Sequence, residues 1–227
     1  MRKFISFVIG ITIALSSFAQ SNLHIQQFVA NVSNHESPTF QKTSTKLMYE
    51  GSHVSDNAVT YALFSGDFAD NSVDNFYYMQ VFQEFKFWKE PIFIHVEART
   101  YNFYQNILYV GGAYTLGTKH GMIAIEPLVR NDSFGPWTGS WDWKRTGGQL
   151  SIVTGHDWGF VNLNTFTDIY NTPGTSKPNL YTEFWLYFPV TEHLQLGTIT
   201  SFATEYSELG DFRLNNLNIN LGLKVNF

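Results

Sequence analysis

The sequence predicts an all-β protein: a transmembrane antiparallel up-and-down β-barrel of about twelve strands (ten to fourteen), with both termini at the periplasmic end. Three observations carry this. The first is the C-terminal stretch Asn216 to Phe227. Leu217, Ile219, Leu221, Leu223, Val225 and Phe227 are apolar, while Asn216, Asn218, Asn220, Gly222, Lys224 and Asn226 are polar, charged or glycine. Successive strand side chains point to opposite faces, so the segment has one oily wall and one wet wall. It exceeds the ~5–6 residues usual in soluble sheets and does not stop at the ~9–11 residues that cross a membrane core. The second is composition. The chain is 44% hydrophobic, 17% aromatic and only 15% charged, yet no apolar run reaches the ~18 residues of a membrane helix. A barrel hides its polarity in the lumen, which keeps the mean hydropathy ordinary at −0.15. The third is the start of the chain.

Met1-Arg2-Lys3 is positive, Phe4 to Leu15 is apolar, and Ser17-Phe18-Ala19 before Gln20 fits a small-x-small cleavage site. Residues 1–19 therefore read as a secretory signal peptide, and residues 20–227 as a single outer-membrane barrel domain. Removing Arg2 and Lys3 takes the formal charge from −5 to about −7. An acidic mature chain argues against nucleic acid as a partner. The lack of cysteine agrees with an exported protein that needs no disulfides.

Taken in order, alternation and turn chemistry place strands at Asn22–Val29, Thr43–Gly51, Ala58–Gly66, Phe76–Phe87, Ile92–Tyr101, Ile107–Thr118, Met122–Arg130, Gly148–Gly155, Phe160–Tyr170, Asn179–Phe188, Leu194–Thr204 and Phe212–Phe227. In the first, Leu23 and Ile25 share one face and His24, Gln26 and Phe28 the other. Short turns at Ser55-Asp56-Asn57, Trp88-Lys89-Glu90-Pro91, Lys119-His120-Gly121 and His156-Asp157-Trp158-Gly159 alternate with longer, polar connections. The longest, Asn131–Gly147, holds Pro136 and Trp137, Trp141 and Trp143. Short periplasmic turns alternating with longer outer loops are the pattern of outer-membrane barrels, and here they put the long loops outside.

A chain ending on an apolar aromatic resembles the closing strand of such barrels, which the barrel-assembly machinery reads. Glu84-Phe85-Lys86-Phe87-Trp88-Lys89 followed by Pro91-Ile92-Phe93-Ile94-His95-Val96-Glu97 resembles the central hairpin of a small Bacteroidetes outer-membrane family without assigned activity. That family is similar to the Tsx-type nucleoside-specific channel proteins. The Leu23-His24 start, Gly111-Gly112-Ala113-Tyr114-Thr115 and the Gly222 to Phe227 ending also fit. The resemblance implies a twelve-stranded channel in the bacterial outer membrane, with nucleosides among the solutes it suggests. It carries over no binding residues.

The lumen is where any chemistry must lie. Arg or Lys facing lipid at mid-bilayer costs ~2–4 kcal/mol, which turns Phe93, His95, Glu97, Arg99 and Tyr101 inward and Ile92, Ile94, Val96 and Ala98 outward. On the preceding strand Tyr78, Gln80, Phe82, Glu84 and Lys86 face in. Tyr77, Met79, Val81, Phe85 and Phe87 face out, and Gln83 falls among them as an exception. A turn centred on Lys89-Glu90 pairs Phe87 with Ile92 and sets Glu84 opposite His95. The same logic turns Ala124, Glu126, Leu128 and Arg130 inward, with Phe160, Asn162, Asn164, Phe166 and Asp168, and with Tyr181, Glu183, Trp185 and Tyr187. The candidate solute-binding residues are Glu84, Lys86, Phe93, His95, Glu97, Arg99, Glu126, Arg130, Tyr181, Glu183 and Trp185.

Such a lumen is either a narrow wet passage or a plug of paired charges and aromatics. The expected function is passive diffusion of small polar solutes without a cofactor or catalytic residues. The alternative is a closed structural or adhesive barrel acting through its outer loops. His53-Val54-Ser55 has a His-x-Ser spacing seen in outer-membrane lipases but falls at a periplasmic turn, far from any outer-leaflet lipid. No histidine spacing matches a zinc motif. Gly111-Gly112 precedes no helix, so it reads as a place where strands approach or bend rather than a phosphate loop.

Overall fold

The computed structural model describes residues 20–32, 44–69, 77–88, 91–101, 105–132, 143–171, 178–206 and 212–227. Twelve strands are present: β1 (Gln20–Val32), β2 (Ser44–Val54), β3 (Ala58–Ala69), β4 (Tyr77–Lys86), β5 (Ile92–Tyr101), β6 (Gln105–Thr118), β7 (Gly121–Asn131), β8 (Thr146–Asp157), β9 (Asn162–Asn171), β10 (Pro178–Pro189), β11 (Leu194–Tyr206) and β12 (Phe212–Asn226). Each pairs antiparallel with its neighbours in sequence, and β12 returns to β1 to close the barrel. Closure satisfies every strand edge, which is what a sheet needs where water cannot reach its backbone. The seam is finished by the last residue, whose amide donates to the Ser21 carbonyl at 3.1 Å. The expected signal peptide 1–19 and most of the longest loop lie outside the described residues; Trp143 begins a single 3-10 turn through Arg145 and is exposed.

The outer wall is apolar. Ile25, Leu47, Val81, Ile94, Val110, Ile125, Leu150, Ile169, Phe184, Leu196 and Leu221 are exposed large hydrophobics, one on each strand except β3. With strands of 10 to 15 residues, this belt is the face that hydrocarbon covers in a membrane barrel. Gln83 does point outward, and Thr60 on the preceding strand, β3, donates to its amide oxygen at 2.7 Å. A cross-strand partner therefore satisfies the one polar side chain that breaks the pattern on β4.

The central hairpin forms in the register read from its pattern. Glu84 pairs with His95 and Lys86 with Phe93, and the Phe87 amide donates to the Ile92 carbonyl at 3.2 Å. Strand β5 has the expected limits, and the other strands differ from expectation by at most three residues at either end. One assignment changes with them. Phe160 is not on an inward face: it sits in the turn before β9, 74% exposed. That turn is built by Gly159 in the left-handed region, φ 82°, with its amide donating to Asp157 Oδ1 at 2.7 Å. A side chain at Gly159 is disfavoured there, so the chain turns earlier than hydrophobicity suggests.

Gly111 has a different reason. A Cβ at this position would lie 2.1 Å from the Pro127 carbonyl oxygen. Pro127 cannot donate to a ladder, and the paired register between β6 and β7 is interrupted between Gly111–Leu128 and Tyr114–Ile125. The double glycine accommodates this irregular stretch, so the expected close approach of strands is observed.

Candidate functional site in the barrel lumen

Because inward positions alternate along each strand, the charged residues of β4, β5, β7 and β9 converge inside the barrel. Glu84, His95, Glu97, Arg99, Glu126 and Asp168 are all buried. His95 stands between two carboxylates: Nδ1 is 3.1 Å from Glu84 Oε1 and Nε2 is 3.2 Å from Glu97 Oε2. Glu97 also accepts from Gln80 Nε2 at 2.6 Å and from Arg99 Nε at 2.5 Å. Arg99 then reaches across the lumen. Its NH1 donates to Asp168 Oδ2 at 2.7 Å, joining β5 to β9, four strands further round. Asp168 is held from its other side by the Ser151 hydroxyl at 2.6 Å. The guanidinium lies over the Tyr109 ring (4.6 Å) and near the Phe166 ring (5.1 Å), positions that favour a cation.

A second network centres on Glu50. It accepts from Asn22 Nδ2 (2.9 Å) and the Tyr61 hydroxyl (3.0 Å), meets His24 Nε2 at 3.0 Å, and has Lys224 Nζ at 3.5 Å. The other nitrogen of His24, Nδ1, is 3.1 Å from the Tyr187 hydroxyl, joining β1 to β10. The Tyr187 ring fills the space over Gly222, where a Cβ would lie 2.8 Å from its hydroxyl oxygen. Tyr61 stacks on Phe82 at 5.0 Å, and Phe82 packs against His95 at 5.2 Å. The two networks therefore form one belt of touching side chains within the lumen.

Of the residues expected at the site, Glu84, His95, Glu97, Arg99 and Glu126 come together. Arg130 does not join them; it pairs bidentately with Asp132 at 2.6 and 2.9 Å and lies over the Tyr170 ring. Tyr181, Glu183 and Trp185 form a cluster on β10, in which the Tyr181 hydroxyl and Trp185 Nε1 (2.7 Å) both donate to Glu183. Lys86 and Phe93 pair beside the hairpin turn. Sequence reasoning did not single out Glu50, His24, Tyr61, Tyr187 and Lys224 as site residues, or Asp168 as the partner of Arg99. A signal for Glu50 exists: a carboxylate amid membrane-spanning strands is expected to turn inward.

Burial differs around the wall. His95, Glu97, Tyr109, Glu126, Ser151, Asp168 and Tyr187 are buried, while Gln80 and Phe82 on β4 keep intermediate exposure. Asn164, Phe166, Glu183, Trp185, Asn218 and Asn220, on β9, β10 and β12, keep intermediate exposure. The His53-x-Ser55 spacing forms no nucleophile and base. The Ser55 hydroxyl is engaged in its own turn, donating to the Ala58 carbonyl and accepting from the Ala58 amide, both at 3.1 Å.

Neither protein-family models nor curated proteins match this sequence. Solved structures do. The KdgM porin in complex with disordered oligogalacturonate is 7% identical with a TM-score of 0.55, the alignment covering 91% of this chain and 99% of that one. Outer membrane phospholipase A from Escherichia coli is 14% identical with a TM-score of 0.53, covering 91% and 89%. One neighbour is a porin and the other an enzyme, so what they share with this chain is architecture. The chain has the closed twelve-stranded antiparallel barrel fold of outer-membrane proteins.

Proposed function

We propose that the protein is a bacterial outer-membrane channel for passive diffusion of small polar solutes, narrowed by the charged belt. The observation that carries this is a lumen that is not buried throughout: His95, Tyr109, Glu126, Asp168 and Tyr187 are buried, whereas Gln80, Phe82, Asn164, Glu183, Trp185, Asn218 and Asn220 stay partly exposed. A twelve-stranded barrel lies between the eight-stranded size that side chains fill and the sixteen-stranded size that leaves a wide channel. A partly filled passage suits that intermediate bore. In this reading residues 1–19 are the export signal, the short turns and both termini face the periplasm, and lipid covers the apolar belt. The assembly machinery reads the strand ending in Phe227. The porin neighbour is consistent with transport, and the phospholipase neighbour is a likeness of fold.

The solute class follows from the lining. Glu183 accepts from both Tyr181 and Trp185, presenting an acidic group flanked by aromatic faces. Solutes with a flat face and a polar, hydrogen-bonding edge fit such a wall, nucleosides among them. Purified protein in planar bilayers tests the proposal. Discrete conductance steps with cation preference are expected, and added nucleoside should reduce the current. Current without a nucleoside effect restricts the claim to unspecific diffusion.

The second reading is a closed structural barrel acting through its outer loops. The lumen-crossing contacts Arg99–Asp168 and His24–Tyr187 favour it. Absence of conductance from folded, bilayer-inserted protein decides for it.

A further inference from the structure

Glu126 is the one member of the charged belt that the networks above do not use. It is 7% exposed, yet among the described residues no hydrogen bond or ion pair engages its carboxylate. Leaving a buried carboxylate unpaired is costly, and this one points into a defined cluster. A carboxylate oxygen of Glu126, a carboxylate oxygen of Glu84 and a ring nitrogen of His95 all lie within 4.8 Å of one another. We infer that Glu84, His95 and Glu126 form a binding site for a divalent transition-metal ion in the lumen wall, zinc being the reference case.

The geometry supports coordination beyond mere proximity. Zinc binds imidazole nitrogen and carboxylate oxygen at ~2.0–2.2 Å, which separates tetrahedral ligands by about 3.4 Å. His95 Nδ1 and Glu84 Oε1 already stand at 3.1 Å. Glu126 closes the third corner by swinging inward about an ångström, which its lack of other bonds permits. The outer support is in place as well. A metal-bound histidine usually gives its other N–H to a carboxylate, which fixes the ring. Here Nε2 faces Glu97 at 3.2 Å, and Glu97 is itself held by Gln80 and Arg99. With Nε2 committed to Glu97, Nδ1 is the nitrogen left to meet the metal. Charge points the same way. Glu84, Glu97, Glu126 and Asp168 are gathered around the single guanidinium of Arg99 and the imidazole of His95, an excess of negative charge that a dication balances.

The experiment uses the folded full-length mature barrel in detergent. Co2+ is titrated while its visible absorption is followed, and Zn2+ is titrated by calorimetry. The expected result is one bound ion per barrel, with an intense low-symmetry Co2+ spectrum that Zn2+ abolishes. Glu126→Gln should weaken binding about tenfold or more. Because Glu126 holds no other residue and its buried charge is unpaired, that variant should unfold no lower than the metal-free wild type, so loss of binding cannot be ascribed to loss of fold. His95→Ala should abolish binding. Glu97→Gln, which removes only the outer support, should weaken it by about ten- to a hundredfold. His193→Ala, at the exposed Glu192–His193 pair, should change nothing. Wild-type affinity in Glu126→Gln, loss of binding in His193→Ala, or Mg2+ and Ca2+ binding as tightly as Zn2+ each overturns the site. The readout is binding, so a barrel that carries no current but binds zinc upholds this site and overturns only the channel.

Discussion

Arg99 decides whether the belt is a dry clamp or a hydrated constriction, and Arg99→Gln separates the two. The guanidinium is 5% exposed and bonds two carboxylates, Glu97 and Asp168, each 2% exposed. Removing one partner of a buried ion pair costs ~3–5 kcal/mol, because it leaves a charge unpaired out of water. Here the loss is softened. Asp168 keeps the Ser151 hydroxyl, and Glu97 keeps Gln80 and His95. The expected destabilisation is therefore about 3 kcal/mol, the lower end of that range. Urea unfolding in lipid vesicles, followed by tryptophan fluorescence and by heat-modifiable gel mobility, measures it. Adding Asp168→Asn to Arg99→Gln removes one stranded charge and should recover ~1–2 kcal/mol, a coupling of the size seen between directly contacting residues. If Arg99→Gln stays within about 1 kcal/mol of wild type, the figure for hydrated surface pairs, the belt carries water and the reasoning from burial fails. In single-channel recording the same variant leaves the carboxylates unopposed and should raise cation over anion selectivity.

Other perturbations test other links of the argument. Gly222→Ala places a Cβ 2.8 Å from the Tyr187 hydroxyl oxygen; it should displace Tyr187 from His24 and cost ~1–3 kcal/mol in urea unfolding, and an unchanged midpoint would mean the Tyr187 ring moves freely. Glu183→Gln removes a partly exposed carboxylate from the proposed passage and should lower cation preference with little change in stability, whereas unaltered selectivity would take the path away from β10. Deleting Phe227 removes the amide that closes the β1–β12 seam on Ser21 and should reduce heat-modifiable barrel in the outer membrane; wild-type levels would dismiss the terminal residue as an assembly element. A tag at Lys144 should be reached by antibody on intact cells and a tag at His193 should not, the reverse pattern inverting the proposed topology.

The sequence by itself determined what is local. Alternation in β5 turned His95, Glu97 and Arg99 to one face, since lipid rejects charge on the other, and a short turn set Glu84 against His95 because a hairpin's register follows from its turn. Those two rules place Glu84, His95, Glu97 and Arg99 on the inside without any tertiary information, and alternation in β7 and β9 adds Glu126 and Asp168. Strands β2 and β3 were harder to read, because Met48 and Leu63 face inward and are buried there, so apolar side chains occupy both walls. Phe160 was misplaced for a related reason: hydrophobicity marked it as strand, while Gly159 turns the backbone before it. What only the tertiary structure decided is which inward residues meet. Arg99 and Asp168 are 69 residues apart and lie on strands that never pair. Their contact depends on the bore and stagger of the closed barrel, which set the distance across the lumen. The same holds for His24 with Tyr187, and for the unpaired Glu126 beside His95. Pairing along the sheet is written in neighbouring residues; contact across the lumen exists only once the sheet has closed.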